Sequence, residues 1–284
     1  MIRTRLLVGS ILALAVLGVL IGDGYLAPGW FPFLFASLMA MGVLAGRELL
    51  RLLPPAQRPS EMLVLSGILL CLAANWYPKF RVEFGLPSAS AWGMLVVIFA
   101  AVLIAAFLLE MRRYNGEPGR ALPRIGSTVL AVAYLGLLPS FFAQIRFLPG
   151  HSAILLALVI FVPKGNDIAA FFTGTFLGRD RMTPLLSPKK TWQGFAGGMV
   201  GGTLVALGVW LWQPAVFPDG VVESIGFGLA VGLAGVFGDL AESLIKRDCA
   251  IKDSSHAIPG FGGLLDVVDS VLFAAPVGYL WFQS

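Results

Sequence analysis

Charged residues are scarce in this sequence: Asp, Glu, Lys and Arg make up only 13% of it, while 57% of its residues are hydrophobic. A soluble globular domain carries about 25% charged residues, so the composition excludes that class. Apolar runs of about 20 residues recur along the whole chain, and each is long enough to cross a hydrocarbon core of about 30 Å. The short alternating segments of a transmembrane barrel are lacking. We therefore predict an all-α, polytopic integral membrane protein.

Cysteines are also few. Cys71 and Cys249 lie far apart in the sequence, so no disulfide framework is expected. The first apolar run follows Arg3 and Arg5, as in a signal peptide, but lacks an A-x-A-like cleavage site. We expect this run to be retained as a signal-anchor helix. No soluble domain, low-complexity tail or internal repeat is evident in the sequence.

Nine transmembrane spans are predicted from the apolar runs, separated by connections rich in Pro, Gly and Arg. Five spans fall in an N-terminal region, 1–150, and four in a C-terminal region, 151–284, which also carries the charged motifs. The spans are expected at roughly 5–22, 29–46, 61–78, 89–109, 127–143, 152–177, 192–212, 221–241 and 264–282.

The basic residues predict the orientation of the spans, because Lys and Arg accumulate in cytoplasmic loops. With the N-terminus in the cytoplasm, only Lys79, Arg81 and Arg146 fall outside, and Lys164 lies within a span. The net charge of +4 is then explained by the loops, so nucleic acid is not an expected partner. The basic residues placed inside are Arg3, Arg5, Arg47, Arg51, Arg58, Arg112, Arg113, Arg120, Arg124, Arg179, Arg181, Lys189, Lys190, Lys246, Arg247 and Lys252.

Glycines recur at four-residue intervals in the seventh span, at Gly194, Gly198 and Gly202. Small residues at this spacing allow helix backbones to approach closely. The simplest interpretation is helix packing within the chain, although such a stripe also permits a homodimer.

The first of three charged clusters is Lys164 and Asp167, at the inner end of the sixth span. A carboxylate at membrane depth usually faces a cavity or a partner, and a salt bridge between these two residues is the alternative. Pro163 and Gly165 predict that the helix is broken here, as it often is around polar sites.

The second cluster is S-P-K-K-T-W-Q-G, which begins at Ser187 and leads into the seventh span. Free backbone N–H groups at a helix start favour anions, and the hydroxyl of Ser187 with Lys189 and Lys190 would suit a nucleotide triphosphate. A positive anchor at a helix end is the alternative for the two lysines.

The third cluster covers residues 239–270, where six carboxylates and several cations interrupt the apolar sequence. Asp239 and Glu242 are three residues apart, as are Asp266 and Asp269, so each pair would share one face of a helix. Carboxylate oxygens suit Mg²⁺ that also binds substrate phosphates, and two such ions can assist phosphoryl transfer. Salt bridges with neighbouring cations are the alternative, above all for Glu242.

These residues resemble the phosphatidate cytidylyltransferases, also called CDP-diacylglycerol synthases, over roughly residues 160–276. The family pattern S-x-x-K-R-x-x-x-x-K-D-S, P-G-H-G-G and x-x-D-R-x-D-S is closely matched, and N-D-I-A-A-F-F-T-G and S-P-K-K-T-W-Q-G resemble two further family segments. The sequence departs at Phe261 for His, Val267 for Arg and Gln193 for Glu. The matching positions of the long pattern are Ser243, Lys246, Arg247, Lys252, Asp253 and Ser254, then Pro259, Gly260, Gly262 and Gly263, then Asp266, Asp269 and Ser270.

The resemblance implies that CTP and phosphatidic acid, or a related lipid phosphate, react to give CDP-diacylglycerol and pyrophosphate in phospholipid biosynthesis. The predicted topology places the site at the cytoplasmic side of the inner membrane, and the carboxylates predict one or two Mg²⁺ ions as cofactor. Asp239, Asp266 and Asp269 would bind metal and Lys252 would join them in catalysis. The substrate-binding residues would be Ser187, Lys189, Lys190, Lys246, Arg247 and Asp167.

Three alternatives remain at this stage. The first is a CTP-dependent membrane enzyme with another acceptor, such as a polyprenol-type kinase or an archaeal-lipid cytidylyltransferase. The second is an ion-coupled transporter, which would be favoured by inverted repeats and paired broken helices. The third is an inactive family member, because Phe261 and Val267 replace polar residues of the pattern.

Overall fold

The structure is a computed structural model that describes residues 2–251, 254–255 and 257–283. The described chain is mostly helical, with one two-stranded antiparallel hairpin. Its helices are α1 (Ile2–Leu26), α2 (Pro32–Leu52), α3 (Glu61–Ala74), α4 (Tyr77–Phe84), α5 (Ala91–Arg113), α6 (Ala121–Val132), α7 (Leu138–Phe147), α8 (Ser152–Leu177), α9 (Trp192–Trp212), α10 (Val221–Asp248) and α11 (Leu265–Gln283). The strands are β1 (Arg181–Thr183) and β2 (Ser187–Thr191).

Eight helical segments of the described chain are long and apolar enough to cross a membrane, and α3 with α4 makes a ninth if counted as one bent span. One of the eight runs from Ala121 to Phe147, where a π-helical turn joins α6 to α7. The prediction of an all-α polytopic membrane protein with about nine spans is therefore confirmed. The cytoplasmic placement of the N-terminus stays a prediction.

The third span is bent, which the sequence did not indicate. The axes of α3 and α4 differ by 70°. At the bend, the side-chain amide of Asn75 donates to the carbonyl of Leu72 (3.0 Å) and to Ser140 Oγ (2.9 Å). Pro78 lies in the first turn of α4, where its missing N–H costs nothing because that group has no partner within the helix.

Two compact units are distinguished by their internal contacts. The first comprises Met1–Ala143 and Asp253–Leu265, and the second comprises Gln144–Lys252 and Asp266–Ser284. The predicted division into regions 1–150 and 151–284 stays a prediction.

The first unit packs α2 closely against α3. A Cβ atom added at Gly42 of α2 would lie 2.9 Å from a side-chain carbon of Ile68, so only glycine allows this approach. Asp23 of α1 is fully buried, and its carboxylate accepts hydrogen bonds from the backbone N–H groups of Phe33 and Leu34. These groups lack partners within α2 because they belong to its first turn, so Asp23 stabilises the start of that helix.

The second unit packs α8 closely against α9 through the predicted glycine stripe. Gly194, Gly198 and Gly202 are buried, and a Cβ at Gly198 would overlap the side-chain oxygen of Asn166 on α8. Asn166 also donates a 3.1 Å hydrogen bond to the carbonyl of Gly232 on α10. The interpretation of the stripe as helix packing within the chain is confirmed, and the homodimer stays a prediction.

The predicted break in the sixth span is wrong, because α8 is continuous through Pro163. Packing on both sides offsets the cost of proline within a helix. Pro163 is buried against α10, where a Cβ at Gly235 would lie 2.9 Å from it, and Gly165 packs against α9 at Val205. The close neighbours hold the backbone helical where the local sequence favours an interruption.

The hairpin is a further difference from the prediction, which placed no strands. Strands β1 and β2 pair through Arg181 with Thr191 and Thr183 with Ser187. Thr191 ends β2 and begins α9 as its N-cap, since its hydroxyl accepts a hydrogen bond from the N–H of Gly194 (3.1 Å). The S-P-K-K string therefore precedes a helix as expected, but in an extended conformation.

Candidate active site

Charged side chains from four elements of the second unit meet in one cluster, which we call the charge cluster. Helix α8, strand β2 and helices α10 and α11 all contribute to it. Its members are Lys164, Asp167, Lys190, Asp239, Glu242, Lys246, Asp266, Asp269 and Ser270.

Lys164 of α8 contacts two carboxylates and a hydroxyl. Its ammonium nitrogen is 2.8 Å from Ser270 Oγ, 3.4 Å from Asp167 Oδ2 and 4.0 Å from Asp269 Oδ1. Asp269 is almost fully buried, and its Oδ1 also accepts the backbone N–H of Ser270 (2.5 Å). A lysine from one helix thus compensates carboxylates on two helices.

Lys190 of β2 forms an ion pair with Asp239 of α10, at 2.7 Å. Its neighbour Lys189 is exposed, and it forms no ion pair with the carboxylates of the charge cluster in the part of the chain that the structure describes. Ser187 pairs with Thr183 across the hairpin and makes no described contact with the charge cluster. The structure therefore brings only one of the two predicted lysines into the charge cluster.

Lys246 of α10 is held between Glu242, one turn earlier, and Asp266 of α11, with nitrogen–oxygen distances of 2.5 Å and 2.6 Å. The side chain of Glu242 is only 1% exposed. Its second oxygen, Oε1, is buried and has no hydrogen-bond partner among the residues that the structure describes. Buried polar atoms nearly always have a partner, so this oxygen is a candidate contact for a ligand.

Gly238 allows α10 to approach the acidic end of α11. A Cβ at this position would overlap the carbonyl oxygen of Asp269 and lie 3.0 Å from the Cα of Ser270. Asp239, the next residue, is thereby carried close to Asp269. The charges of Asp239 and Asp167 are near enough to interact with that of Asp269.

The donor chemistry of the charge cluster fits a divalent cation. Five carboxylates against three lysines leave a formal excess of two negative charges, and carboxylate oxygens are the ligands that Mg²⁺ prefers. Within the described residues, however, no three Asp, Glu, His or Cys side chains are gathered tightly enough to form a metal site as they stand. The lysine ammonium groups lie between the carboxylates instead, so a metal would have to displace them.

The predicted site residues are placed as follows. The charge cluster unites Asp167, Lys190, Asp239, Lys246, Asp266 and Asp269. Ser187, Lys189 and Arg247 lie outside it: Arg247 is exposed and donates to the carbonyl of Leu186 in the hairpin (3.1 Å). Lys252 lies outside the residues that the structure describes. The metal and substrate roles themselves stay predictions.

No site role was predicted for Lys164, Ser270 or Glu48. Glu242 was predicted to be either a metal-binding carboxylate or a salt-bridge partner, and the structure pairs it with Lys246. Lys164 was interpreted only as a salt-bridge partner of Asp167, and its contact with Ser270 crosses 106 positions of sequence. Glu48 is a buried acid in an apolar helix, a feature that usually marks a polar partner. That feature alone could have identified it.

Two of the departures from the family pattern have a structural explanation. Gln193 accepts hydrogen bonds from the backbone N–H groups of Arg179 and Asp180, and its amide nitrogen donates to the carboxylate of Asp180 (2.7 Å). A glutamate here would place two carboxylates together. Phe261 packs against α1, since a Cβ at Gly9 would be 3.5 Å from its ring. Nothing in the structure explains Val267.

Comparisons with known proteins match this chain along nearly its whole length. A model of the cytidylyltransferase family matches residues 3–284. "Phosphatidate cytidylyltransferase 4, chloroplastic" of Arabidopsis thaliana is 30% identical over 298 residues, covering 94% of this chain and 71% of the relative. Phosphatidate cytidylyltransferase of Bacillus subtilis (strain 168) is 30% identical over 278 residues, covering 98% and 96%, and that of Mycobacterium tuberculosis (strain H37Rv) is 30% identical over 288 residues, covering 98% and 81%. This chain belongs to the cytidylyltransferase family.

Proposed function

We propose that this protein is a phosphatidate cytidylyltransferase, which converts CTP and phosphatidic acid to CDP-diacylglycerol and pyrophosphate. The observation that carries the proposal is the charge cluster, in which carboxylates suited to a cation alternate with lysines suited to phosphates. The near full-length match to a bacterial relative named for this activity supports the same conclusion.

In the proposed reaction, an oxygen of the lipid phosphate forms a bond to the α-phosphorus of CTP. The bond between that phosphorus and the oxygen leading to the β-phosphate breaks, and pyrophosphate leaves. A phosphate monoester is already anionic, so the protein needs to supply little general-base assistance. Catalysis would therefore rest on positioning the two phosphates and on stabilising charge.

Each charged residue has a role in this proposal. Asp239, Asp266 and Asp269 would hold Mg²⁺, which would neutralise the negative charge of the triphosphate. Lys190 would be the main contact to CTP phosphates, and Ser187 and the exposed Lys189 of the hairpin would contribute weakly. The lipid phosphate or the leaving pyrophosphate would be bound by Lys246, Arg247 and Lys252, and Asp167 with Lys164 would orient the site from α8.

We place the enzyme in the inner membrane with its site on the cytoplasmic side. The support is the distribution of Lys and Arg, which accumulate in cytoplasmic loops. This placement gives water-soluble CTP direct access while the acyl chains of the acceptor stay in the bilayer. A homodimer is compatible with the proposal but is not required by it.

The test is a product assay on the purified full-length protein with Mg²⁺, CTP and phosphatidic acid. We expect release of pyrophosphate and formation of a CDP-lipid. Release of CDP would identify a kinase, and activity with an isoprenoid lipid phosphate alone would identify another acceptor. If no lipid supported release of pyrophosphate, the proposal would be rejected in favour of an inactive family member.

The two neighbouring lysines of β2 allow a matched test of the CTP site. We expect Lys190→Gln to raise KM for CTP about tenfold or more, since a contact to a charged group contributes about 1.5–3 kcal/mol. Lys189→Gln should change KM by about twofold or less, because contacts of exposed charges are weak. Steady-state kinetics with varied CTP measure both. Equal effects of the two variants would contradict the assignment of Lys190, and not Lys189, to the charge cluster.

A further inference from the structure

Glu48 lies near the end of α2, where a carboxylate interrupts an apolar helix. The residue is only 7% exposed, and burying an ionised group is costly unless hydrogen bonds compensate it. We propose that Glu48 is a positioning residue that holds both ends of the segment 254–265. It thereby sets the start of α11, the helix that carries Asp266 and Asp269. The kinetic part of this inference rests on the proposed function, whereas its structural part does not.

Both oxygens of the Glu48 carboxylate accept hydrogen bonds from that segment. Oε1 accepts from Ser255 Oγ (2.8 Å) and from the backbone N–H of Leu264 (3.1 Å). Oε2 accepts from the backbone N–H of Leu265 (2.9 Å) and, at 3.5 Å, from Ser254 Oγ. The two serines stand at the beginning of the segment and the two leucines at its end, so one carboxylate closes the loop.

The contacts with Leu264 and Leu265 also cap a helix. Leu265 is the first residue of α11, and N–H groups at a helix start have no partner within the helix. A negative charge there also interacts favourably with the helix dipole. Asp266 directly follows Leu265, so the bonds to Glu48 fix the backbone from which the Asp266 side chain projects.

The contacts of Glu48 explain why two positions of the family pattern, Ser254 and Gly263, carry small residues. A Cβ at Gly263 would overlap Ser254 Oγ and lie 2.5 Å from Glu48 Oε2 and 2.8 Å from Ser255 Oγ. Any larger residue at Gly263 would therefore push the carboxylate away from the segment. Ser254 and Gly263 belong to separate parts of the pattern, and both meet at this one side chain.

The test compares Glu48→Gln with Glu61→Gln in the full-length protein. Glutamine keeps the size of the side chain but replaces one accepting oxygen with an NH₂ donor. In either orientation of the amide, this donor would face an N–H or O–H group that now donates to Glu48. Glu61 is a matched control because its carboxylate is 59% exposed and forms a surface ion pair with Arg47 (3.1 Å). Such pairs contribute little, so Glu61→Gln should behave as the wild type.

For Glu48→Gln we expect kcat to fall about tenfold or more, because the new amide donor is buried without an acceptor and disturbs the start of α11. KM for CTP should change by about threefold or less, because no substrate contact is removed. We also expect the amides of Leu264 and Leu265 to exchange hydrogen for deuterium about tenfold faster in the protein without substrate or metal. Mass spectrometry of peptides covering 257–268 measures this exchange.

Ser255→Ala is a milder variant in case Glu48→Gln folds poorly. It removes one bond to Glu48, and its effect on kcat should be largely absent when Glu48 is already glutamine, since residues in contact are not additive. Unchanged exchange at 264–265, or wild-type kcat in Glu48→Gln, would overturn the inference. A wild-type protein that released no pyrophosphate would instead reject the proposed function, and the exchange result would still decide the role of Glu48.

Discussion

Replacing Asp269 with asparagine is expected to lower turnover by about 10²–10³-fold, while the protein still inserts and folds. Asparagine keeps the shape of the side chain and can still accept the bond from the N–H of Ser270. It removes a buried negative charge that lies near Lys164 and close to Asp239 and Asp167. Removal of one charge-stabilising group from an active site typically lowers kcat by a factor of this size. Pyrophosphate release by the purified variant measures the effect.

Asp219→Asn is the control for this variant. Asp219 is exposed and lies in the connection before α10, outside the charge cluster. The Asp219→Asn variant should have the turnover of the wild type within experimental error. If Asp269→Asn kept near wild-type turnover, Asp269 would be removed from the proposed metal ligands.

Gly238→Ala is expected to destabilise the protein and to abolish most of its activity. The added Cβ would overlap the carbonyl oxygen of Asp269, and backbone cannot move aside as a flexible side chain can. Overpacking of this kind typically costs about 1–3 kcal/mol, and here it would also separate Asp239 from Asp269. The thermal unfolding midpoint of the solubilised protein and its pyrophosphate release measure the two effects.

Gly208→Ala is the matched control, because it makes the same change within a membrane-spanning helix of the same unit. A Cβ at Gly208 would meet nothing within 4 Å, and alanine favours helix over glycine by about 0.5–1 kcal/mol. We expect an unchanged or slightly higher unfolding midpoint. A Gly238→Ala protein with the midpoint and activity of the wild type would contradict the close approach of α10 to α11.

The membrane-spanning architecture was predictable because it depends on long apolar runs. Features that depend on contacts between helices were not. Pro163 favours a break by its local chemistry, yet α8 continues because α9 and α10 pack around it. The bend after Ala74 depends on Asn75 reaching Ser140, 65 positions later. The hairpin was missed because its strands of three and five residues are too short to show a periodic pattern.

In the candidate site, too, features that depend on local sequence were predictable and contacts between helices were not. The spacing of Asp239, Asp266 and Asp269 and the resemblance to a family identified the acidic residues. Their interleaving with lysines was not predictable, because it depends on which helix faces which: Lys164 reaches Ser270 across 106 positions. Glu48 contacts Leu265 across 217 positions, so no local pattern connects it to the loop that it holds.

The alternation of lysines and carboxylates in the charge cluster has a thermodynamic consequence. Without ligands, each ammonium group serves as a tethered counterion, as Lys190 does for Asp239 at 2.7 Å. If the proposed function holds, a nucleotide bound with its divalent cation would exchange these ion pairs: its phosphates would bind the lysines, and the cation would bind the carboxylates. Either ligand alone would leave one half of the exchange incomplete. Under the proposed function, nucleotide and cation would therefore bind cooperatively, each raising the affinity for the other by the same factor.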